Sequence, residues 1–277
     1  MTLLVRDLAD IVAANIEYHL SRGVDHIIVT DNGSVDETRD IVGSYAREDV
    51  TLIDEPGDDY DQSGWVTRMA RLAWKMGADW VINDDADELW WPHDGDLKAV
   101  FASVPPEAGS VVVPRANFLP VRRLAGHAFE EMVYRDVVSV NGLGRPLQPK
   151  VAHRAAPDVT VAPGNHAVES AALGPAVVSD DILIFHYPHR SYEQLERKIA
   201  TGGPAVERNT RVSKAMFDVW RELYKRLRAG KLRAWYDALP HANGAGFEEA
   251  LASGAIVHDD RVARYMRRSA LPAAARL

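Results

Sequence analysis

Four carboxylates fall within five consecutive residues, Asp84-Asp85-Ala86-Asp87-Glu88. Like charges packed this closely raise one another's pKa unless a cation neutralises them. Asp85 and Asp87 alternate about Ala86, so an extended backbone turns both to one side. Two oxygens on one side suit Mg²⁺ or Mn²⁺, hard ions that accept carboxylates and keep positions for substrate phosphates. The competing assignment is a solvated acidic turn that caps the helix after Pro92.

A second string, Asp31-Asn32-Gly33-Ser34, offers a carboxylate acceptor to a nucleotide's base or ribose. Asn-Gly is equally what a tight turn uses, and Ser34-Val35-Asp36-Glu37 matches a capping box opening a helix. Histidines form a third set, in Gly164-Asn165-His166 and in Phe185-His186-Tyr187-Pro188-His189-Arg190-Ser191. An imidazole at a strand end can complete an oxygen-rich metal site, and a hydrogen-bonded structural histidine fits the same positions. Arg190 and Lys198, read as lying on the helix after Pro188, suit a diphosphate: arginine by a bidentate fork, lysine as a point charge. Ordinary helix-surface charge is the other reading of Lys198. Trp90-Trp91-Pro92 could wall a sugar pocket, although adjacent tryptophans are more often core and rim packing.

The elements that must position these groups alternate along the first third of the chain. Leu3-Leu4-Val5, Ile27-Ile28-Val29, Leu52-Ile53 and Trp80-Val81-Ile82 read as strands. Helical patterns lie between them, one carrying Ile11, Ile16 and Leu20, another running from Trp65 to Met76. Strands alternating with helices predict βαβ units and a largely parallel sheet. In such sheets ligands sit beyond the carboxyl ends of the strands, where Asp31 and the acidic string fall. After Pro92, Val111-Val112-Val113, Val137-Val138-Ser139-Val140, Val159-Thr160-Val161 and Ile182-Leu183-Ile184-Phe185 read as strands of a mixed sheet with long connections. Beyond Ser191 the chain turns helical. Met216, Trp220, Leu223 and Leu227 form an apolar stripe among Arg221, Lys225, Arg226 and Arg228. That basic helix could meet a membrane or an acidic partner, but its stripe points to docking on the preceding α/β domain. Residues Ala270 to Leu277 read as frayed.

Composition sets outer limits. At 277 residues, with 47% hydrophobic and 26% charged residues, the chain is an ordinary globular protein with ample core, not a disordered one. It contains no cysteine, so disulfides and thiolate metal sites are excluded, and a metal must be held by oxygen or imidazole. Net charge, 32 minus 40 or −8, argues against nucleic acid as the partner. Acidic residues crowd 54–61 and 84–96, basic ones 221–233 and 261–268. An acidic centre that binds a polyanion needs a mediating cation. No apolar run approaches the ~20 residues of a membrane span, and the apolar start is short for a signal peptide. A cytoplasmic location is the expectation, with peripheral attachment at the inner membrane face as an open variant of it.

Taken in order, Arg6-Asp7-Leu8-Ala9-Asp10-Ile11, Gly23-Val24-Asp25-His26, Asp31-Asn32-Gly33-Ser34-Val35-Asp36 and Asp79-Trp80-Val81-Ile82 running into Asp85-Ala86-Asp87-Glu88 resemble family 2 glycosyltransferases of the GT-A fold, particularly the bacterial family 2-like group. The resemblance continues through Gly164-Asn165-His166 and His186-Tyr187-Pro188-His189-Arg190-Ser191-Tyr192, and so spans about residues 2–205. It implies an α/β GT-A-type catalytic domain, mixed but mostly parallel and flanked by helices, over residues 1–205, with a helical extension over 206–277. It further implies a UDP- or GDP-sugar donor, a glycan, lipid-linked sugar or small-molecule acceptor, and Mn²⁺ or Mg²⁺. Arg6 and Asp31 would contact the donor, with Arg190 and Lys198 at its diphosphate. Asp85 would lie near ribose and metal and Asp87 would be the principal metal ligand. His186 is the choice for the imidazole ligand and His166 its rival.

Family 2 enzymes generally invert the anomeric centre, with a carboxylate base taking the acceptor's proton. Glu130 and Glu131 are the choice for that base, and Asp136 lies in the same stretch. One position departs from the pattern, since Leu8 stands where the family usually has glutamate or another polar residue. Leu8 supports the first alternative, a catalytically impaired binding or scaffold module. A sugar-phosphate nucleotidyltransferase is the second, but it would carry a glycine-rich basic loop where this chain has Arg6-Asp7-Leu8-Ala9-Asp10. A metal-dependent phosphoesterase would bring more His and Asp ligands close together.

Overall fold

The computed structural model describes residues 1–46, 49–210 and 217–268. Met216 and the Ala270–Leu277 segment lie outside these residues. The chain opens with β1 (Thr2–Val5), α1 (Val12–Ser21), β2 (Ile27–Asp31), α2 (Thr38–Tyr45) and β3 (Val50–Asp54). It continues with α3 (Gln62–Lys75), β4 (Trp80–Asp85), β5 (Glu88–Pro92), α4 (Leu97–Ser103), β6 (Ser110–Val113) and β7 (Arg115–Asn117). Then come α5 (Ala128–Glu131), β8 (Tyr134–Asp136), β9 (Lys150–Arg154), β10 (Thr160–Val161), a 3-10 turn at Pro163–Asn165 and β11 (Val168–Glu169). The remainder is β12 (Ala176–Val178), β13 (Ile182–His186), α6 (Tyr192–Arg208), α7 (Asp218–Arg228), α8 (Leu232–Asp237), α9 (Phe247–Ala252), β14 (Ile256–His258) and α10 (Arg261–Arg268).

Two compact units share this chain. The first comprises Met1–Gly57, Asp61–Arg115 and Gln148–Phe185, and the second Asp58–Tyr60, Ala116–Leu147 and His186–Leu277. The first unit carries a seven-stranded sheet in the order β12-β6-β9-β4-β1-β2-β3. β3, β2, β1 and β4 run parallel, β12 is parallel to β6, and β9 runs antiparallel between β4 and β6. This mixed, mostly parallel α/β sheet flanked by helices is the fold class expected from the sequence.

Burial explains why these segments are strands. Every residue of β2 is buried, as a parallel strand covered on both faces requires. α3 starts where the Asp61 side chain accepts from the Gly64 N–H, and it buries Trp65, Val66, Met69, Ala70 and Ala73. Part of that face packs on Ile28, Val81, Val159 and Val161. Trp90 and Trp91 also lie in the core, where Trp91 stacks between Tyr18 and Phe185 and Tyr18 donates its hydroxyl to the Trp90 carbonyl. The sugar-wall reading of this pair is therefore replaced by packing.

In the second unit α6 begins at Ser191, whose hydroxyl accepts from the Gln194 N–H. Arg190 thus precedes the helix on which it was expected. Leu223 of α7, with Trp220 and Leu227 beside it, packs against Leu195 and Ile199 of α6 and Leu232 and Tyr236 of α8. The close approach depends on glycine, because a Cβ at Gly202 would lie 2.4 Å from the Trp220 ring. The strand expected over Val137–Val140 does not form. β8 ends at Asp136, and Val137 and Val138 are exposed, so their branched side chains mark no buried face. No helix among the described residues is long and apolar enough to cross a membrane.

Candidate functional site

Register brings the sequence-picked groups of the first unit to one edge of its sheet. Val5 pairs with Asp31 and Leu4 with Asp85, so β1, β2 and β4 end side by side at their carboxyl termini. β9 enters at the same edge because it is antiparallel: Ile82 faces Ala152, and Val113 at the end of β6 faces Lys150.

The loops after β1 and β2 are laced together. Asp7 sits at φ 53°, a conformation costly for a residue with a side chain, and is held there from both sides. Its N–H donates to Ser34 Oγ at 3.0 Å, and its Oδ1 accepts from the Val35 N–H at 2.8 Å. Leu8 donates its N–H to Thr38 Oγ1 at 2.7 Å, a backbone contact independent of side-chain identity. Ser34 is therefore spent on the Asp7 loop, and the expected capping box does not form. α2 has no side-chain cap at Glu37, and Asp36 accepts from the Thr38 N–H instead. Arg6 Nη1 reaches Asn32 Oδ1 at 3.3 Å. Asp31 Oδ2 accepts from the Ser34 N–H at 3.0 Å, while its Oδ1 is buried without a hydrogen-bond partner among the described residues.

The acidic string is not one extended strand. β4 stops at Asp85, Ala86 and Asp87 form a turn, and β5 starts at Glu88. The expected common direction of Asp85 and Asp87, argued from strand alternation, loses its basis in that turn. Asn15 of α1 organises the turn, its Nδ2 lying 3.0 Å from Asp84 Oδ2 and 2.8 Å from the Glu88 carbonyl. Asp84 is fully buried, and burial, then Glu88, pushes its carboxyl well above the usual range and favours the neutral acid. Glu88 is also raised by burial, against the pull of Lys150 and Arg115.

Two cations answer the remaining charge. Lys150 donates to Asp85 Oδ2 and lies 3.4 Å from Glu88 Oε2, while Arg115 Nη1 lies 2.7 Å from Glu88 Oε1. Burial lowers the Lys150 ammonium, and Asp85 and Glu88 more than offset it, so its pKa stands above the ordinary value. The crowding that called for a bound ion is thus largely met by the protein's own side chains. Nothing near the acidic string in sequence announced this. Lys150 opens a buried strand 65 residues further on, well outside the acidic string's own sequence neighbourhood.

Asn165, buried and at φ 60°, donates from Nδ2 to Asp85 Oδ1 at 3.2 Å. Its own Oδ1 is buried without a partner among the described residues. Next to it, His166 Nδ1 lies 2.7 Å from the Pro149 carbonyl. A carbonyl only accepts, so Nδ1 carries the proton and Nε2 carries the lone pair. Burial first, then Lys150 and Arg115, push this imidazole down to about 4, which keeps it neutral. Gly164 is required beside it, since a Cβ there would lie 2.6 Å from the His166 ring. The carboxylates of Asp85 and buried Asp87 and the lone pair of His166 fit the donor chemistry of a hard divalent ion that takes its other ligands from phosphate. Among the described residues no three His, Asp or Glu side chains converge closely enough to hold an ion by themselves.

Other expected residues belong to the second unit. His186 Nδ1 lies 2.7 Å from Asn117 Oδ1, and Asn117 Nδ2 donates to the Val140 carbonyl at 2.8 Å. The Val140 contact fixes which way the amide points, so His186 donates from Nδ1 to Asn117 Oδ1. Arg190 is buried and donates to the Tyr187 carbonyl at 3.3 Å. The Lys198 ammonium lies 5.7 Å from the centre of the Trp220 ring. Glu130 and Glu131 line a cavity of about 520 Å³ with Arg122, Arg123 and Arg267. Both Glu131 oxygens take the Ala125 N–H, at 3.2 and 3.0 Å. Burial pushes Asp136 up to about 6.

No family model and no curated protein matches the sequence. Among solved structures the chain is similar to TarS of S. aureus, residues 1–349, at 12% identity over 91% of this chain and 90% of that one, with a TM-score of 0.43. It is also similar to the mannosyltransferase PcManGT of Pyrobaculum calidifontis, in complex with GDP-Man and Mn²⁺, at 17% identity over 92% and 78%, TM-score 0.42. Glucosyl-3-phosphoglycerate synthase of Mycobacterium tuberculosis matches at 13% identity over 77% and 80%, TM-score 0.37.

Proposed function

We propose that this protein is a glycosyltransferase that moves a sugar from a nucleoside-diphosphate donor to an acceptor hydroxyl, with inversion and with help from Mn²⁺ or Mg²⁺. The observation that carries the proposal is Asp31: a buried carboxylate oxygen without a hydrogen-bond partner among the described residues, at the carboxyl edge of the sheet, one strand removed from Asp85. A buried acceptor left unsatisfied costs about 1–3 kcal/mol, and a donor N–H or ribose hydroxyl would recover it. Arg6, next to it in the laced loops, contributes positive charge on the donor's side.

Asp85 and Asp87, with the imidazole of His166, would hold the ion. Bound there, it would neutralise the charge that develops on the departing diphosphate. The acceptor's proton goes to a carboxylate base. Of the two glutamates assigned to that role, Glu131 already takes the Ala125 N–H on both oxygens, which favours Glu130. Asp136, raised to about 6, is the other carboxylate suited to proton transfer near neutral pH.

The test is thermal unfolding with UDP or GDP in the presence of Mn²⁺ or Mg²⁺, followed by a screen of nucleotide sugars for metal-dependent hydrolysis. A ligand that binds only the folded state at about 100 times its Kd adds roughly 2.7 kcal/mol, so a clear rise in Tm is expected. Asp87→Ala should abolish the hydrolysis and keep the fold. Absence of any shift with either nucleotide plus metal would sink the donor site, and full activity in Asp87→Ala would remove Asp87 from it.

A further inference from the structure

We infer that Lys150 is the resident counter-cation of Asp85 and makes binding of a divalent ion conditional on the donor's diphosphate. The inference rests on the donor site proposed above and assigns Lys150 as a positioning residue within it.

Lys150 is 1% exposed, and its strand β9 lies between β6 and β4, so its stem is fixed by the sheet. Its ammonium engages Asp85 Oδ2 and also lies near Glu88 Oε2, while Asn165 takes Asp85 Oδ1. Asp85, the most exposed of the four carboxylates with a side chain 31% open to solvent, therefore meets a ligand with both oxygens already engaged. Withdrawing Lys150 would leave Asp85 with the Asn165 amide as its neutral partner and Glu88 with Arg115, so Asp85 is the carboxylate that loses its counter-charge. A divalent ion approaching Asp85 meets a fixed positive charge on the same carboxylate, and the Arg115 guanidinium stands beyond it on Glu88. In a poorly screened site that repulsion opposes the ion alone. A nucleoside diphosphate reverses the balance, because its phosphates bring negative charge and further oxygen ligands.

The experiment measures Mn²⁺ binding through loss of the free-ion electron paramagnetic resonance signal, with and without UDP or GDP, in wild type, Lys150→Gln, Lys150→Met and Lys150→Arg. Circular dichroism confirms each fold. Wild type and Lys150→Arg should bind Mn²⁺ weakly alone and well with one of the nucleotides. Lys150→Gln, which keeps a donor for Asp85 without the charge, and Lys150→Met should each bind Mn²⁺ alone at least about tenfold more tightly than wild type. Equal affinity for Mn²⁺ alone in wild type and either neutral variant overturns the inference while leaving the donor site standing. So does wild type that binds Mn²⁺ as tightly without nucleotide as with it, a result that requires no variant to fold. Absence of Mn²⁺ binding in every protein, even with both nucleotides, overturns the donor-site reading itself and the role of Lys150 with it.

Discussion

Arg115 places Nη1 2.7 Å from Oε1 of Glu88, and the two side chains are 8% and 0% exposed. Arg115 also donates from Nε to the Gln148 carbonyl at 2.7 Å, so the guanidinium is fixed by backbone as well as by charge. Removing Arg115 strips buried Glu88 of its closer cation and leaves Lys150 at 3.4 Å. Arg115→Met should lower stability by about 3 kcal/mol, and adding Glu88→Gln should restore most of the loss. Urea unfolding of both variants checks this. Sign matters for pH. The folded pKa of Glu88 already lies above its ordinary value, and losing Arg115 raises it further. The folded state then holds a proton that the unfolded state releases, and the penalty grows as pH rises through the folded value. The deficit of Arg115→Met should therefore be smaller at pH 5 than at pH 8.

Asp31→Asn separates donor binding from local structure. The amide oxygen can still accept from the Ser34 N–H, which keeps the turn. The second acceptor oxygen becomes a donor, so an N–H or hydroxyl on the nucleotide loses its partner. Affinity for the nucleoside diphosphate should fall by roughly 1.5–3 kcal/mol, or tenfold to a hundredfold, with Tm unchanged or raised. Calorimetric titration with UDP and GDP measures it. Unchanged affinity would take Asp31 out of the donor site.

His153 supplies a stability prediction outside the site. It is fully buried in β9, its Nδ1 faces the Arg154 carbonyl at 2.8 Å, and burial pushes its pKa down to about 4. The unfolded chain takes up a proton near pH 6.5 and the folded protein does so only near 4. Stability tied to this group is thus full above 6.5 and is lost as pH falls toward 4. His153→Leu removes the dependence. Its stability relative to wild type should rise on acidification across that window, by at most about 3 kcal/mol. A pH-independent difference would show that His153 titrates normally.

Particular residues show how far the sequence could be read. Ile27–Val29 and Trp80–Ile82 are short apolar runs bounded by polar turns, and both became strands of the central sheet. Val137-Val138-Ser139-Val140 is likewise rich in β-branched residues yet forms no strand, because β propensity records fitness for a half-buried surface and these valines stay exposed. Ser34-Val35-Asp36-Glu37 has the letters of a capping box, but the Ser34 hydroxyl is taken by Asp7, 27 residues earlier. Local spacing cannot register a competitor that arrives from another loop.

By itself the sequence determined the alternation of strands and helices, and with it the edge at which Asp31 and Asp85 must meet. That information is local: hydrophobic period and strand ends fix it. Only the tertiary structure decided how the acidic string is neutralised. Asp84 is driven toward its neutral form by burial, Glu88 is paired with Arg115, and Asp85 is held by Lys150 and Asn165. Those partners come from strands and turns 27 to 80 residues away. A carboxylate's charge depends on desolvation and on neighbours in space, and neither is written in the residues beside it.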